Sequence, residues 1–398
     1  MQRNYQYYKQ ALRGNQFPLC FLDVDLLKEN CKQIKTRISH SKKIRIASKS
    51  IRSVEVLKMI TDFDKDLFSG IMCFSMAEAV FLSQKGFDNL LVAYPCMQEK
   101  LMEELCVEIK KGKTIILMVD CKKHVDAIQA VAKKNNIVVS ICLDIDMSTD
   151  FPGLHFGVWR SSLFNKNQVL ELVAHIQKNN HVRLDGLMGY EAQIAGVGDN
   201  APGQILKNKA IQLLKKISQK EISKRRKEIV EAIQAKGIKL KFVNGGGTGS
   251  IEQTCTEEVV TEIAVGSGFY SPSLFDYYNS FKHQAALAFA VEIVRNPKPN
   301  VYTCHGGGYI ASGSVGKEKL PIPYLPNGIK LFENEGVGEV QTPFIYSGNE
   351  KLEMGDPILM RHAKAGEVCE RFNEIILIAD GKVMGKVPTY RGEGKCFL

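Results

Sequence analysis

Ile44-Arg45-Ile46-Ala47-Ser48-Lys49-Ser50 is the stretch on which the reading of this chain turns. Ile44 and Ile46 alternate with Arg45 and Ala47 as in a short strand with a buried face. A helical pattern follows from Ser53 to about Ile60, carried by Val54, Leu57, Met59 and Ile60. Lys49 stands in the turn between them. A lysine at the carboxyl end of a strand that opens a βα unit is well placed for chemistry in a barrel. Such a lysine forms a Schiff base with a carbonyl compound when its neighbours lower its pKa. Taken alone, a lysine in a turn is far more often a solvated surface residue, so the weight falls on the rest of the chain.

Outward from this stretch the same rhythm recurs. Apolar β-type runs lie near 44–48, 67–72, 89–93, 114–119, 137–144, 184–190, 239–244 and 259–265. Most are separated by amphipathic stretches such as 77–85, 100–111 and 123–134. Eight strand-like runs alternating with helices predict an α/β fold, a parallel (β/α)8 TIM-type barrel. After about Phe275 the texture changes. Short β-type runs at 288–294, 308–311, 338–341, 357–361, 374–378 and 382–387 are separated by Gly, Pro and Asn turns, and Asp380-Gly381 is a hairpin signal. These runs predict a C-terminal all-β domain. The strand-like segment Pro18 to Asp23 precedes the barrel and is assigned to that domain. The expected division is 25–275 for the barrel, and 1–24 plus 276–398 for the β domain.

The length of 398 residues suits two domains, and a hydrophobic content of 44% supports a real core. The net charge of +10 is spread along the chain rather than gathered in a tail. Its densest run, 207–227, carries Ile211, Leu213, Leu214 and Ile217 at roughly helical spacing, continued by Ile222, Ile229 and Val230. That pattern reads as the solvated face of a long helix, not as a nucleic-acid surface. The eleven cysteines show no CxxC pair. The opening Met1-Gln2-Arg3-Asn4-Tyr5 lacks the apolar core of a signal peptide, and no apolar run is long enough to span a membrane. A cytoplasmic protein with free thiols is expected.

The second informative stretch is Val243-Asn244-Gly245-Gly246-Gly247-Thr248-Gly249-Ser250, after the seventh strand-like run. Adjacent glycines let backbone N–H groups converge without Cβ obstruction. Barrels commonly bind phosphate after strands seven and eight, at the N-terminus of a short extra helix. A glycine-rich turn is weak evidence by itself; its place after strand seven strengthens it. Lys49 after strand one and a phosphate cradle after strand seven would open at one face of one barrel. A Schiff-base lysine facing a phosphate site suggests pyridoxal 5'-phosphate as the cofactor.

At this point a resemblance becomes usable. Pro18-Leu19-Cys20-Phe21-Leu22-Asp23-Val24-Asp25, Ala47-Ser48-Lys49-Ser50 and Asn244-Gly245-Gly246-Gly247-Thr248, in that order, resemble the fold-type III pyridoxal-phosphate enzymes, whose alanine-racemase-like barrel is followed by a β domain. Within them the chain resembles the D-threonine aldolase and D-serine dehydratase group, and especially the amino acid deaminase/aldolase proteins. Arg361-His362 through Cys369-Glu370-Arg371-Phe372 resembles the C-terminal site of the latter.

The resemblance implies roles. Lys49 would hold the cofactor. Gly245, Gly246, Gly247 and Thr248 would bind its phosphate, with Tyr270 in reach of it. Tyr190 would stack beside or hydrogen-bond the ring. Arg160 resembles an arginine that the group places near the cofactor, and it would equally pair with Asp144 or Asp146. His362 and Cys369 form a zinc-type ligand pair for Zn or Mn. The group carries His-x-Cys or His-x-Asp, however, and here six residues intervene. Cys304-His305-Gly306-Gly307-Gly308 reads as a tight turn.

The activity implied is that of a lyase on a small D-amino acid, a β-hydroxy one, by retro-aldol cleavage or by dehydration and deamination, with metal assistance. An amino acid racemase and a non-catalytic pyridoxal-phosphate-binding protein remain alternatives. A homodimer is implied by the resemblance alone.

Overall fold

The strand Ile115–Val119 shows why the barrel was legible. All five of its residues are buried. Ile116 and Met118 join Leu91, Cys142, Met188 and Phe242 in one cluster inside the barrel. Ile115, Leu117 and Val119 face the opposite way, into the larger core under the helices. A strand covered on both faces reads as an unbroken apolar run. Phe242 fills the barrel interior so closely that a Cβ on Gly186, across from it, would fall within its ring.

The computed structural model describes residues 2–38, 41–314, 316–364 and 366–398. In chain order the strands are β1 (Leu19–Asp23), β2 (Lys43–Ala47), β3 (Phe68–Cys73), β4 (Leu90–Val92), β5 (Ile115–Val119), β6 (Val139–Asp144), β7 (Thr149–Phe151), β8 (Leu154–Phe156), β9 (Val182–Gly189), β10 (Phe242–Gly245) and β11 (Glu262–Val265). They continue with β12 (Leu287–Lys298), β13 (Val301–His305), β14 (Ile322–Leu325), β15 (Ile329–Leu331), β16 (Gln341–Tyr346), β17 (Pro357–Arg361), β18 (Glu374–Ala379) and β19 (Lys382–Pro388). The strands β2, β3, β4, β5, β6, β9, β10 and β11 close into an eight-stranded barrel. All of its pairings are parallel, and β11 returns to β2 with Val265 opposite Ile46. The fold is the expected alanine-racemase-like TIM barrel with a C-terminal β domain. A small antiparallel hairpin, β7 with β8, interrupts the rhythm between β6 and β9.

Arg45, between the two buried isoleucines of β2, faces the barrel interior. Its guanidinium pairs with Glu262 on β11 at 2.6 Å and donates to the Asn89 carbonyl at 2.7 Å. Asn244 closes the group by donating to Glu262 at 2.9 Å. The polar residue of the alternating pattern thus lies inside the barrel, where a charge is tolerated only when paired.

The long basic run lies on one helix, Ile205–Gln234. Its lysines at 207, 209, 216, 220, 224 and 227 are exposed, as expected of a solvated face. The buried stripe differs from the expected one. Ile222, Ile229, Val230 and Ile233 are buried with Arg226 in the second half, but in the first half Asn208, Lys215 and Ser218 turn inward. Leu213 and Ile217 are left exposed.

In the β domain, β1 is an interior strand. It pairs antiparallel with β12 and parallel with β18. The Asp380-Gly381 turn between β18 and β19 has positive φ at both residues, 48° and 73°, the primed geometry of a two-residue hairpin. Residues 308–311 are not a strand, and β16 starts at Gln341, later than expected. Cys304 and His305 end β13, and the tight turn comes at Gly306 and Gly307, both at positive φ. Among the described residues no helix is long and apolar enough to cross a membrane.

The C-terminal segment folds back onto the barrel. Tyr390 donates to the buried Glu78 at 2.8 Å, and the Phe74 amide donates to the same carboxylate at 2.7 Å. Burial pushes the Glu78 carboxyl up to about 7, against its hydrogen bonds and the nearby Arg52 charge. The folded state therefore holds this proton over a range where the unfolded chain has released it. The contribution is full below the ordinary glutamate range and is lost as pH rises from about 4.5 to about 7. Denaturant unfolding of wild type and Glu78→Gln checks this. The stability difference, wild type minus variant, should fall between pH 5 and pH 8. A pH-independent difference would show that Glu78 does not titrate in that window.

Candidate active site

Lys49 sits in a single 3-10 turn, Ser48–Ser50, directly after β2. Ser48 Oγ donates to the Met72 carbonyl at 2.9 Å, and Ser50 Oγ meets Ser267 Oγ at 3.1 Å. Arg52 follows at φ 51°, a left-handed conformation that side-chain-bearing residues seldom adopt. Its own side chain secures it. Nε donates to the Lys49 carbonyl at 3.1 Å, the guanidinium pairs with Glu370, and it lies 5.2 Å over the Phe74 ring. From the other side Gly366, at φ 89°, presses so closely that a Cβ there would land on the Lys49 carbonyl oxygen. The backbone is fixed by both domains, while the Lys49 side chain is exposed within a cavity of about 340 Å³.

The glycine loop forms another part of the lining. Gly246, Gly247 and Thr248 line the cavity with Asn244, Gly266 and Ser267. Gly246 needs its φ of 71°, and its amide is spent on Glu191 at 3.0 Å. The Gly247 amide is spent on Ser250 Oγ at 3.1 Å, and Thr248 Oγ1 accepts from the Gly268 amide at 3.1 Å. The amides of Thr248 and Ser267 have no acceptor among the described residues. A Cβ on Gly247 would lie 2.9 Å from that of Ala195, so this wall has no room for a side chain.

Glu191 organises the loop, and sequence reading missed it although it adjoins Tyr190. Its carboxylate accepts from the Gly246 amide, from Thr254 Oγ1 at 2.6 Å and from Ser250 Oγ at 3.4 Å. Arg226, wholly buried on the long helix, pairs with it at 2.9 Å and also with Glu257. Arg226 donates in addition to the Gly189 carbonyl at 3.0 Å.

Other sequence-derived candidates fall in two groups. Tyr190 and Arg160 line the cavity. Burial, with the Glu191 charge beside it, pushes the Tyr190 phenol up to about 12, so it stays protonated. Arg160 pairs with Asp144 at 2.6 Å rather than with Asp146, and it donates to the Ala93 carbonyl at 2.9 Å. Burial lifts the Asp144 carboxyl to about 6 against the opposing pull of Arg160.

The second group lies elsewhere. Gly245 ends β10 with its Cα toward the Arg226 guanidinium, 3.2 Å from a Cβ built there. Tyr270 is fully buried, and its hydroxyl donates to the Ile51 carbonyl at 3.0 Å, so it does not face the cavity. His362 and Cys369 are not brought to the Lys49 cavity either. The buried His362 borders a separate chamber beside Arg52 and Glu370. The Cys369 thiol donates to the Ile51 carbonyl at 3.6 Å. The residue two after His362, where the resembled group carries its second ligand, is Lys364, and it does line the Lys49 cavity. Among the described residues the one cluster of three potential ligands is Asp120, Cys121 and His124, outside both chambers.

Comparison with known proteins agrees with this architecture. The family model "Alanine racemase, N-terminal domain" matches residues 22–273. A 3-hydroxy-D-aspartate aldolase of Paracoccus denitrificans (strain Pd 1222) is 24% identical over 394 residues, 95% of this chain and 93% of that protein. A D-threonine aldolase from Filomicrobium marinum superposes with a TM-score of 0.77 at 15% identity, covering 95% of each chain. A D-threo-3-hydroxyaspartate dehydratase from Delftia sp. HT23 does so with a TM-score of 0.73 at 16% identity, covering 95% of this chain and 98% of that one. At such identities the structural likenesses show the fold alone. The chain belongs to the alanine racemase N-terminal domain family, the barrel of the fold-type III pyridoxal-phosphate enzymes.

The Arg226–Glu191 pair carries a prediction. Arg226→Met keeps the length of the side chain but leaves two carboxylates buried without their cation. Breaking a buried pair from one side costs about 3–5 kcal/mol. A loss of that size in denaturant unfolding, with weaker pyridoxal phosphate binding by absorbance titration, is expected. Cofactor affinity equal to that of wild type would show that the loop keeps its shape without this support.

Proposed function

We propose that this member of the alanine racemase N-terminal domain family is a pyridoxal-phosphate-dependent lyase acting on a small D-β-hydroxy amino acid. The observation that carries the reading is the Lys49 side chain standing in a cavity whose lining also includes Thr248 and Ser267, the amides of which have no acceptor among the described residues. These residues fit the cofactor. Amides without acceptors at a glycine cradle suit a phosphate, and Lys49 suits its carbonyl. The likeness to the 3-hydroxy-D-aspartate aldolase supports the substrate class.

Pyridoxal phosphate, when bound, supplies a carbonyl that condenses with amines and a ring that withdraws electrons from the substrate Cα. The chain does the rest. With the cofactor bound and the substrate amine at its carbonyl, Lys49 Nζ would be free to act as the base. If it takes the Cα proton, loss of the β-hydroxyl leads to ammonia and a keto acid. If the proton is taken from the hydroxyl instead, the Cα–Cβ bond breaks to glycine and an aldehyde. Tyr190, held protonated, is a hydrogen-bond donor at neutral pH and not a base. Arg160 is a fixed cation, braced by Asp144.

His362 and Cys369 do not fit one ion shared by both side chains and touching the substrate, because neither lines the Lys49 cavity. No step is routed through a metal. We take 25–275 as the cofactor-binding unit, and 1–24 with 276–398 as the unit closing its mouth. A homodimer, implied by the family resemblance, would have the exposed Trp159, Ile205 and Leu206 available to cover. Cysteines scattered without framework spacing support a reducing cytoplasm.

Borohydride reduction of the holoenzyme followed by peptide mapping should label Lys49. Lys49→Ala should lose both the visible absorption of lysine-bound cofactor and all turnover. Incubation with D- and L-β-hydroxy amino acids should yield glycine with an aldehyde, or ammonia with a keto acid, from the D series only. Interconversion of D- and L-alanine without cleavage of any hydroxy acid would replace the lyase with a racemase.

A further inference from the structure

The charges around the Lys49 cavity do not balance. Its lining includes four cationic side chains, Lys49, Arg160, Lys319 and Lys364, and among the described residues no carboxylate. Two of the four are accounted for. Lys49 is committed to the cofactor carbonyl, and Arg160 is neutralised by Asp144 behind it. The other two, Lys319 and Lys364, lie on segments that follow the barrel strands in sequence.

Those two lysines converge on one short stretch. Lys364 Nζ bonds Ser312 Oγ at 3.1 Å. A Cβ on the next residue, Gly313, would lie 3.6 Å from Lys319 Cε. Lys364 has partial compensation from Glu367 at 3.3 Å. That carboxylate is shared, since it also accepts from the Ser312 amide at 2.6 Å and from the Ser312 hydroxyl. Lys319 is half-buried, and its ammonium has no hydrogen bond or ion pair among the described residues. A cleft lined by one sign of charge concentrates anions of the other.

We propose that Lys319 and Lys364 receive a second carboxylate on the substrate, so that the enzyme acts on dicarboxylic β-hydroxy amino acids. The inference rests on the lyase reading above and narrows it. The cofactor phosphate is met by the glycine loop, so it does not answer to these lysines. A neutral side chain, such as a methyl or a phenyl group, would strip water from two ammonium groups and give nothing in return. A carboxylate one carbon beyond the reacting Cβ–OH restores the balance. Glu367, by tying Ser312 to Lys364, acts as the positioning residue that holds the two rim segments together.

The test uses ligands without a β-hydroxyl, so that it is independent of cleavage. The cofactor absorbance of the holoenzyme is titrated with D-aspartate and with D-alanine, and the ratio of their dissociation constants is read in wild type, Lys319→Met, Lys364→Met and the double variant. Wild type should prefer D-aspartate. Each variant should lower the preference by roughly 10-fold or more, the effect of one charged hydrogen bond. The double variant should bring it near unity, and Lys319→Arg should retain it. Added salt should erode the preference in wild type. An unchanged ratio in the double variant overturns the proposal. So does an equal weakening of both ligands, which would place the α-carboxylate on the pair. A preference for D-aspartate that the variants abolish, in an enzyme that cleaves no β-hydroxy acid, would uphold the carboxylate site and refute the lyase reading instead.

Discussion

The buried pair between Glu191 and Arg226 is the constraint on which the site depends. One carboxylate just past the end of a barrel strand takes a backbone amide from the glycine loop, two hydroxyls from that loop and the short helix after it, and one guanidinium from a helix on the outside of the barrel. Of these groups the Gly246 amide has no other acceptor among the described residues. A loop of adjacent glycines has little side-chain packing to define its path, so its shape must come from hydrogen bonds. The guanidinium reaches past Glu191 to Glu257 and to a strand carbonyl, which fixes the carboxylate in turn. Such a network is rigid when complete and costly when broken.

A second constraint acts on the turn after β2. The turn that carries Lys49 is gripped between barrel and β domain: Arg52 reaches to Glu370, the Tyr390 amide donates to the Arg52 carbonyl at 2.9 Å, and Gly366 closes over Lys49 itself. The strained conformation of Arg52 persists because contacts from both domains over-determine it. The lysine backbone is therefore held from both sides, while its side chain stands exposed in the cavity.

Most of the barrel could be read in advance because its strands are buried on both faces and its helices on one, two patterns that leave different periods in the sequence. The lysine turn and the glycine loop were readable for the same reason, as they punctuate those periods. The β domain was harder. Val301–His305 alternates with polar residues and ends in glycines, and Ile322–Leu325 has a proline at 323 and another at 326, so both look like turns. Arg226 was hidden among lysines and arginines in a run that is otherwise solvated. Composition gives no sign of which one of them turns inward. Tyr270 was correctly placed after the last barrel strand, but its hydroxyl points to a backbone carbonyl. His362 and Cys369 were joined by a family spacing that this chain does not keep, while Lys364 held the position that the spacing indicates.

The interior place of β1 bears on how the molecule is made. The segment Leu19-Cys20-Phe21-Leu22 is synthesised early, yet its neighbours begin at Leu287 and Glu374. As the chain leaves the ribosome, this apolar strand waits with both edges bare while the entire barrel is completed behind it. Unpaired apolar edges of this kind invite wrong partners and are what holding chaperones recognise. The barrel is thus assembled with β1 still unpaired, and the β domain closes around it only once Glu374–Ala379 has been made.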